Sequence, residues 1–189
     1  MGEEFLRGVE AHVTRVLGAA SARASVTFLG AERVDVLRHD AGEVVHYVTL
    51  GMSRAPLPDP TSDVVATEGP RAELVLSLRS LRDDVLRALA AAATSPFVEN
   101  AVIAPGASLD LGEPLWPGAR FTALLVGEPG APVPPMPSPG GEVAFFPVVP
   151  MTPNEAAFKR VHGAAALEER WLASGADPRD PERPEVSLA

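Results

Sequence analysis

The sequence predicts an α+β fold, a mixed sheet with packed helices, in a single domain of residues 1–173 followed by a polar tail of 174–189. Three observations carry this reading. At both ends of the chain and once in the middle, apolar residues recur at the spacing of amphipathic helices. Between those stretches, short runs alternate apolar and polar residues, as strands with one buried face do. Prolines and glycines, 20 and 16 among 189 residues, gather into stretches that separate the runs.

Taken in order, Glu3–Leu17 is the first helix. Phe5, Val9, Val13, Val16 and Leu17 share a face, Glu3 and Glu4 suit the positive end of the helix dipole, and Gly18 ends it. Ser25–Leu29 and Arg33–Leu37 read as a short hairpin around Gly30-Ala31-Glu32, and Val44–Leu50 as a third strand stopped by Gly51. Arg54–Pro70, with Pro56, Pro58, Pro60 and Pro70, reads as a long loop. Ala72–Leu78 alternates again, and Leu81–Thr94 is a helix that Ser95-Pro96 terminates. Val98–Trp116 reads as irregular and Phe121–Val126 as a strand, while Gly127–Gly141 is a proline-rich excursion that supplies no sheet ladder. Val143–Val149 resumes as a strand in which Pro147 marks an edge or a bulge, and an edge offers unpaired backbone groups to a partner strand. Thr152-Pro153-Asn154-Glu155 is a helix start, with threonine as N-cap, proline in the first helical position and glutamate closing a capping box. Helical segments at 156–162 and 164–173 follow, and the chain from Ser174 onward reads as disordered.

Composition excludes several function classes. The chain has no cysteine, so disulfides, thiolate metal sites and thiol nucleophiles are out. With 25 acidic and 16 basic residues the net charge is −9, which argues against a nucleic-acid partner. No apolar run approaches the roughly 18 residues of a membrane span, and a cytoplasmic protein with no membrane association is expected. Fifteen of the sixteen basic residues are arginine, with Lys159 the only lysine, a bias that a GC-rich coding sequence produces by itself.

Catalytic constellations do not assemble from these residues. Gly51-Met52-Ser53-Arg54 follows a strand, but Ala55 replaces the glycine of a nucleophile elbow. His12, His39, His46 and His162 show no metal-ligand spacing, and the glycine-rich turns at 127–130 and 139–142 lack a phosphate-loop lysine. Asp83-Asp84 and Glu168-Glu169 are adjacent pairs, whose side chains diverge by about 100° on a helix. No catalytic residue, metal site or cofactor is expected.

Four segments, in order, resemble the suppressor-of-fused domain family. They are His46-Tyr47-Val48-Thr49-Leu50-Gly51-Met52-Ser53, the strand Arg71-Ala72-Glu73-Leu74-Val75-Leu76-Ser77-Leu78, the turn Gly112-Glu113-Pro114-Leu115, and Phe145–Val149 followed by Thr152–Trp171. The succession matches the family's Gly-aliphatic-Ser turn, Glu-Leu strand, Pro-Leu turn and final helix pair. The chain departs from it at Arg79-Ser80-Leu81-Arg82, where the family has aromatic residues, and at 102–110, which lacks a Gly-His pair.

The resemblance implies a largely antiparallel central sheet with helices packed against it, and a non-enzymatic protein-binding module. Bacterial single-domain members of this kind are proposed as immunity proteins that neutralise toxins by direct binding. The partner-binding residues are then expected around the Gly51 turn and its loop: Tyr47, Met52, Ser53, Arg54, Asp59, Asp63, Glu68 and Arg71. An acidic rim there would suit a basic toxin domain. Two other readings of the residues remain open: a small-molecule-binding or hydrolytic domain using a cleft near Tyr47–Arg54, and a scaffold subunit in a larger assembly.

Overall fold

The computed structural model describes residues 2–59, 61 and 66–188. The N-terminal helix α1 (Gly2–Leu17) buries Val9 and Val13, two positions of the predicted stripe. Seven strands follow: β1 (Ala22–Val26), β2 (Val34–Ala41), β3 (Val44–Leu50), β4 (Arg71–Leu78), β5 (Ser108–Asp110), β6 (Ala123–Val126) and β7 (Val143–Met151). They form one sheet in the order β1-β2-β3-β4-β7-β6-β5. Every pairing is antiparallel except β4 with β7, which run parallel from Arg71↔Val143 to Leu76↔Val148.

Both faces of the sheet are covered, which is why β4 is buried almost throughout. Val34, Val36, Tyr47, Leu74, Leu76 and Val148 belong to one core together with Leu89 and Ala93 of α2 (Leu86–Val98). Leu37, Val48, Leu50, Val75 and Phe145 form the other with Val9 and Val13 of α1. A third cluster joins Leu125 and Met151 to Ala156 of α3 (Pro153–His162) and to Leu167 and Trp171 of α4 (Ala164–Ser174). The capping box at Thr152 and Glu155 forms as expected.

Several expectations need correction, among them the irregular stretch 98–116, which contributes β5. The first hairpin is longer, pairing Val26 with Val34 and extending β2 to Ala41. Buried Asp35 sets that pairing by accepting bonds from Arg23, Ser25 and Arg33 at 2.7–3.0 Å. Pro96 does not end α2. The carbonyl of Ala92, which a residue-96 amide would have met, accepts the Ser95 hydroxyl at 2.7 Å, and the helix runs on to Val98. Pro147 lies on an interior strand, not an edge. Its carbonyl accepts from the Gly127 amide at 2.8 Å, so its nitrogen also faces the end of β6, and the one bond it withholds falls just past the last pair Val126↔Val148. The excursion at 127–141 returns to the sheet once, where Met136 and Val143 exchange both backbone bonds.

Residues 174–188, expected as a disordered tail, pack back onto the domain. Arg183 is 2% exposed and its guanidinium meets the buried Glu155 carboxylate at 2.6 and 2.8 Å and the Pro150 carbonyl at 2.8 Å. The same cation lies over the rings of Phe121 and Trp171, 4.8 and 5.2 Å from their centroids. Glu185 accepts from Thr152 and Asn154, and Asp177 and Glu182 pair with Arg79 and Arg82.

Two predictions follow from these ion pairs. Arg183→Ala leaves the Glu155 carboxylate buried without its cation and should lower stability by about 3–5 kcal/mol in urea unfolding. Burial raises the Asp35 carboxyl, but bonds from Arg33, Ser25 and Arg23 outweigh it and hold it at about 2, against an ordinary 3.8. A depressed folded value stabilises above the unfolded pKa and loses that contribution as pH falls. Wild type should therefore exceed Asp35→Asn by about 2 kcal/mol at neutral pH and low salt, a gap closing between about pH 4 and 2.

Candidate functional site

The turn that ends β3 is built around one buried acid. Glu73, early in β4, is fully buried, and its carboxylate accepts four bonds: from the Gly51 amide (2.8 Å), the Ser53 amide (3.0 Å), the Ser53 hydroxyl (2.6 Å) and the Thr49 hydroxyl (2.6 Å). Thr49 in turn accepts the Leu74 amide at 2.8 Å, bridging the point where β3 and β4 separate. Burial pushes the Glu73 carboxyl up, against the four donors that favour its ionised form. Gly51 has φ of +134°, and a Cβ there would stand 2.9 Å from the Arg33 carbonyl oxygen. Only glycine fits that backbone and that approach. The glycine, the serine and the glutamate that stand apart in the sequence are thus one structural unit.

Arg71 closes the base of the loop that follows. Its guanidinium donates to the carbonyls of Ser53 (3.0 Å), Arg54 (2.8 Å) and Thr67 (3.3 Å), and the Leu57 amide bonds the Pro70 carbonyl at 2.8 Å. The second excursion meets the same base. The Gly69 amide bonds Gly140, and a Cβ at Gly141 would overlap the Gly69 carbonyl at 1.9 Å.

The expected partner-binding residues divide into two groups. Tyr47, Met52, Ser53 and Arg71 are buried, and the hydroxyls of Tyr47 and Ser53 and the two terminal nitrogens of Arg71 are engaged. The Tyr47 hydroxyl accepts the Arg82 amide and donates to Asp83, and burial pushes it up to about 12. Ser53 and Arg71 hold the turn from inside, whereas Tyr47 ties β3 to the segment that leads into α2. Arg54, Asp59 and Glu68 reach the surface. Arg54 contacts Glu32 and the Arg33 carbonyl, and Asp59 accepts from the Thr61 amide and hydroxyl. Asp63 lies outside the described residues.

An apolar hollow of about 190 Å³ opens beside the turn. Gly51, Met52 and Arg54 line one side, Gly30, Glu32 and Val34 of the hairpin a second, and Ala93, Thr94, Phe97 and Val98 at the end of α2 the third. Phe97 and Val98 stand just beyond Pro96, a residue whose own preference is to end a helix. Their being large and apolar immediately after it was the available signal.

The cradle makes a test. Glu73→Ala strands four buried donors and should cost about 4 kcal/mol or more in urea unfolding, whereas Glu73→Gln, which keeps one acceptor oxygen, should cost less than half as much.

No curated protein sequence matches the chain. Among solved structures it is similar to a SUFU homologue from Neisseria gonorrhoeae, at 17% identity over 97% of each chain with a TM-score of 0.70. It is similar to a chain of the Sufu–Fu complex, at 14% identity over 97% of this chain and 91% of that one, again with a TM-score of 0.70. Drosophila Suppressor of Fused matches at 16% identity and a TM-score of 0.65 over 95% of this chain, which spans 50% of the Drosophila chain. These likenesses show the fold. The family profile of Suppressor of fused protein (SUFU) matches residues 30–184, a stretch that holds the Gly51 turn, Glu73 and Arg183. On that match, this chain belongs to the Suppressor of fused protein family.

Proposed function

We propose that this chain is a non-enzymatic protein-binding domain, and that it serves as an immunity protein, neutralising a bacterial toxin by direct binding. The observation that carries this is the clamped base of the loop after Ser53. Three carbonyl contacts from Arg71 fix where that loop leaves and rejoins the domain, so Arg54, Asp59 and Glu68 project from a preorganised frame. A homologue in complex with a protein, as in the Sufu–Fu structure, supports the binding half of the reading. The net charge of −9 supports a basic partner, since opposite charge speeds encounter and a nucleic-acid-cleaving toxin presents a basic face. Inhibition then needs no chemistry from this chain: the loop surface covers the toxin's own active surface.

Co-expression tests it directly. Produced together with the toxin domain encoded beside its own gene, the chain should restore growth and co-purify with the toxin at fixed stoichiometry. Replacing Asp59 and Glu68 by lysine should slow association at least five-fold, more at low salt than at high. Unrescued growth together with no complex in native mass spectrometry overturns the proposal.

A further inference from the structure

Eight large apolar side chains are strongly exposed among the described residues, and their placement is uneven. Phe97 and Val98, 42% and 57% exposed, form the lip of the hollow beside the Gly51 turn. Leu29, wholly exposed, precedes the lining residue Gly30. Isolated exposed leucines are ordinary on a protein surface, but a group around a concave opening marks an interaction site.

We propose that this hollow is a socket for one large apolar side chain, phenylalanine or leucine, carried on a basic segment of the partner protein. The proposal rests on the protein-binding reading above and names the contact that reading lacks. Size comes first. An apolar cavity of about 150 Å³ holds a benzene ring, so about 190 Å³ accommodates one aromatic or branched side chain and little more. Chemistry follows. Three polar groups of the wall are already spent: the Thr94 hydroxyl donates to Ala91, the Gly51 amide to Glu73, and the Gly51 carbonyl accepts the Arg54 amide. A polar ligand would have to compete with these bonds, whereas an apolar group gains by leaving water.

Charge selects the flanks. Glu32 lines the opening with its side chain 84% exposed, and exposed Glu99 follows Val98 directly. Arg54, the one cation in the lining, is turned toward Glu32 and the Arg33 carbonyl. Lysine or arginine beside the anchor therefore meets carboxylates, and acidic flanks are repelled. An apolar anchor seated in a pocket inside a polar rim is the arrangement from which most interface energy comes.

The test uses the full chain, methyl-labelled for NMR, titrated with three pentapeptides: Lys-Arg-Phe-Arg-Lys, the same peptide with glycine in place of phenylalanine, and Glu-Glu-Phe-Glu-Glu, all with blocked ends. The first should shift Met52, Ala93 and Val98 signals and bind at least ten-fold tighter than the other two. Ala93→Leu, which fills the hollow, and Phe97→Ser, at an exposed position that tolerates a polar residue, should each weaken it at least five-fold. Equal binding of the glycine peptide, or shifts confined to another face, overturns the socket. Failure here is separable from failure of the parent reading. A toxin complex that Ala93→Leu and Phe97→Ser leave unchanged removes the socket and keeps the binding function. A peptide that binds as described, with no toxin captured, keeps the socket and removes the immunity role.

Discussion

The fold around the candidate site depends on a buried carboxylate held by neutral donors. Glu73 has no exposed surface, and the groups that meet it are two amides and two hydroxyls from the chain segment 49–53. Such a group is stable only while every donor stays in place, because the desolvation it suffers is met bond by bond. The consequence is geometric. Gly51 and Ser53 are drawn onto β4 at the point where β3 separates from it, and the loop from Arg54 starts from a fixed position. Arg71, two residues before Glu73, then ties the far end of that loop to the near end. One short stretch of β4 thus sets both the turn and the frame of the loop.

The second buried glutamate solves the same problem differently. Burial acts upward on both carboxyls, yet Glu73 ends up raised and Glu155 lowered. The difference is Arg183, whose full positive charge sits 2.6 and 2.8 Å from the Glu155 oxygens while Glu73 has only dipoles. Glu155 also serves the capping box and accepts the Trp171 indole N–H. A residue beyond the last helix is therefore part of the core. The terminal segment has the polar, proline-rich composition of a disordered tail, but Arg183, lying over two aromatic rings, anchors it together with Asp177, Glu182 and Glu185.

These cases show what the sequence made legible. The helix stripes, the strand runs and the capping box were readable because each is local and periodic. The α+β class and the family succession followed from their order. These differences share one origin: a residue's own preference is overridden by the partners the fold gives it. Pro96 was read as a stop, and Ser95 supplied the bond it lacks. Pro147 was read as an edge marker, and the end of β6 made its missing amide harmless. Within the candidate site, the motif marks the Gly51 turn, but Tyr47, Met52, Ser53 and Arg71 of that motif and its loop are buried. Burial depends on the whole packing, and nothing in the motif distinguishes a serine that faces a partner from one that bonds Glu73.

The hollow beside the turn results from three local devices acting together. Gly51 carries no side chain because the Arg33 carbonyl leaves no room for one, and that bare backbone forms one wall. Ser95 lets α2 continue through Pro96, which carries Phe97 and Val98 past the sheet to the opposite lip. Asp35 holds the hairpin that brings Gly30 and Glu32 to the third side. Each device is required by local structure: a close approach, a missing amide, a buried acid. Their conjunction has a further effect that none requires alone, which is to leave apolar atoms facing water around a space the size of one side chain. A core assembled from these elements had filling residues available at 93, 97 and 98, and instead has alanine at the floor and large apolar groups at the rim. That distribution, small inside and large at the edge, is the shape of a surface meant to receive something rather than to close.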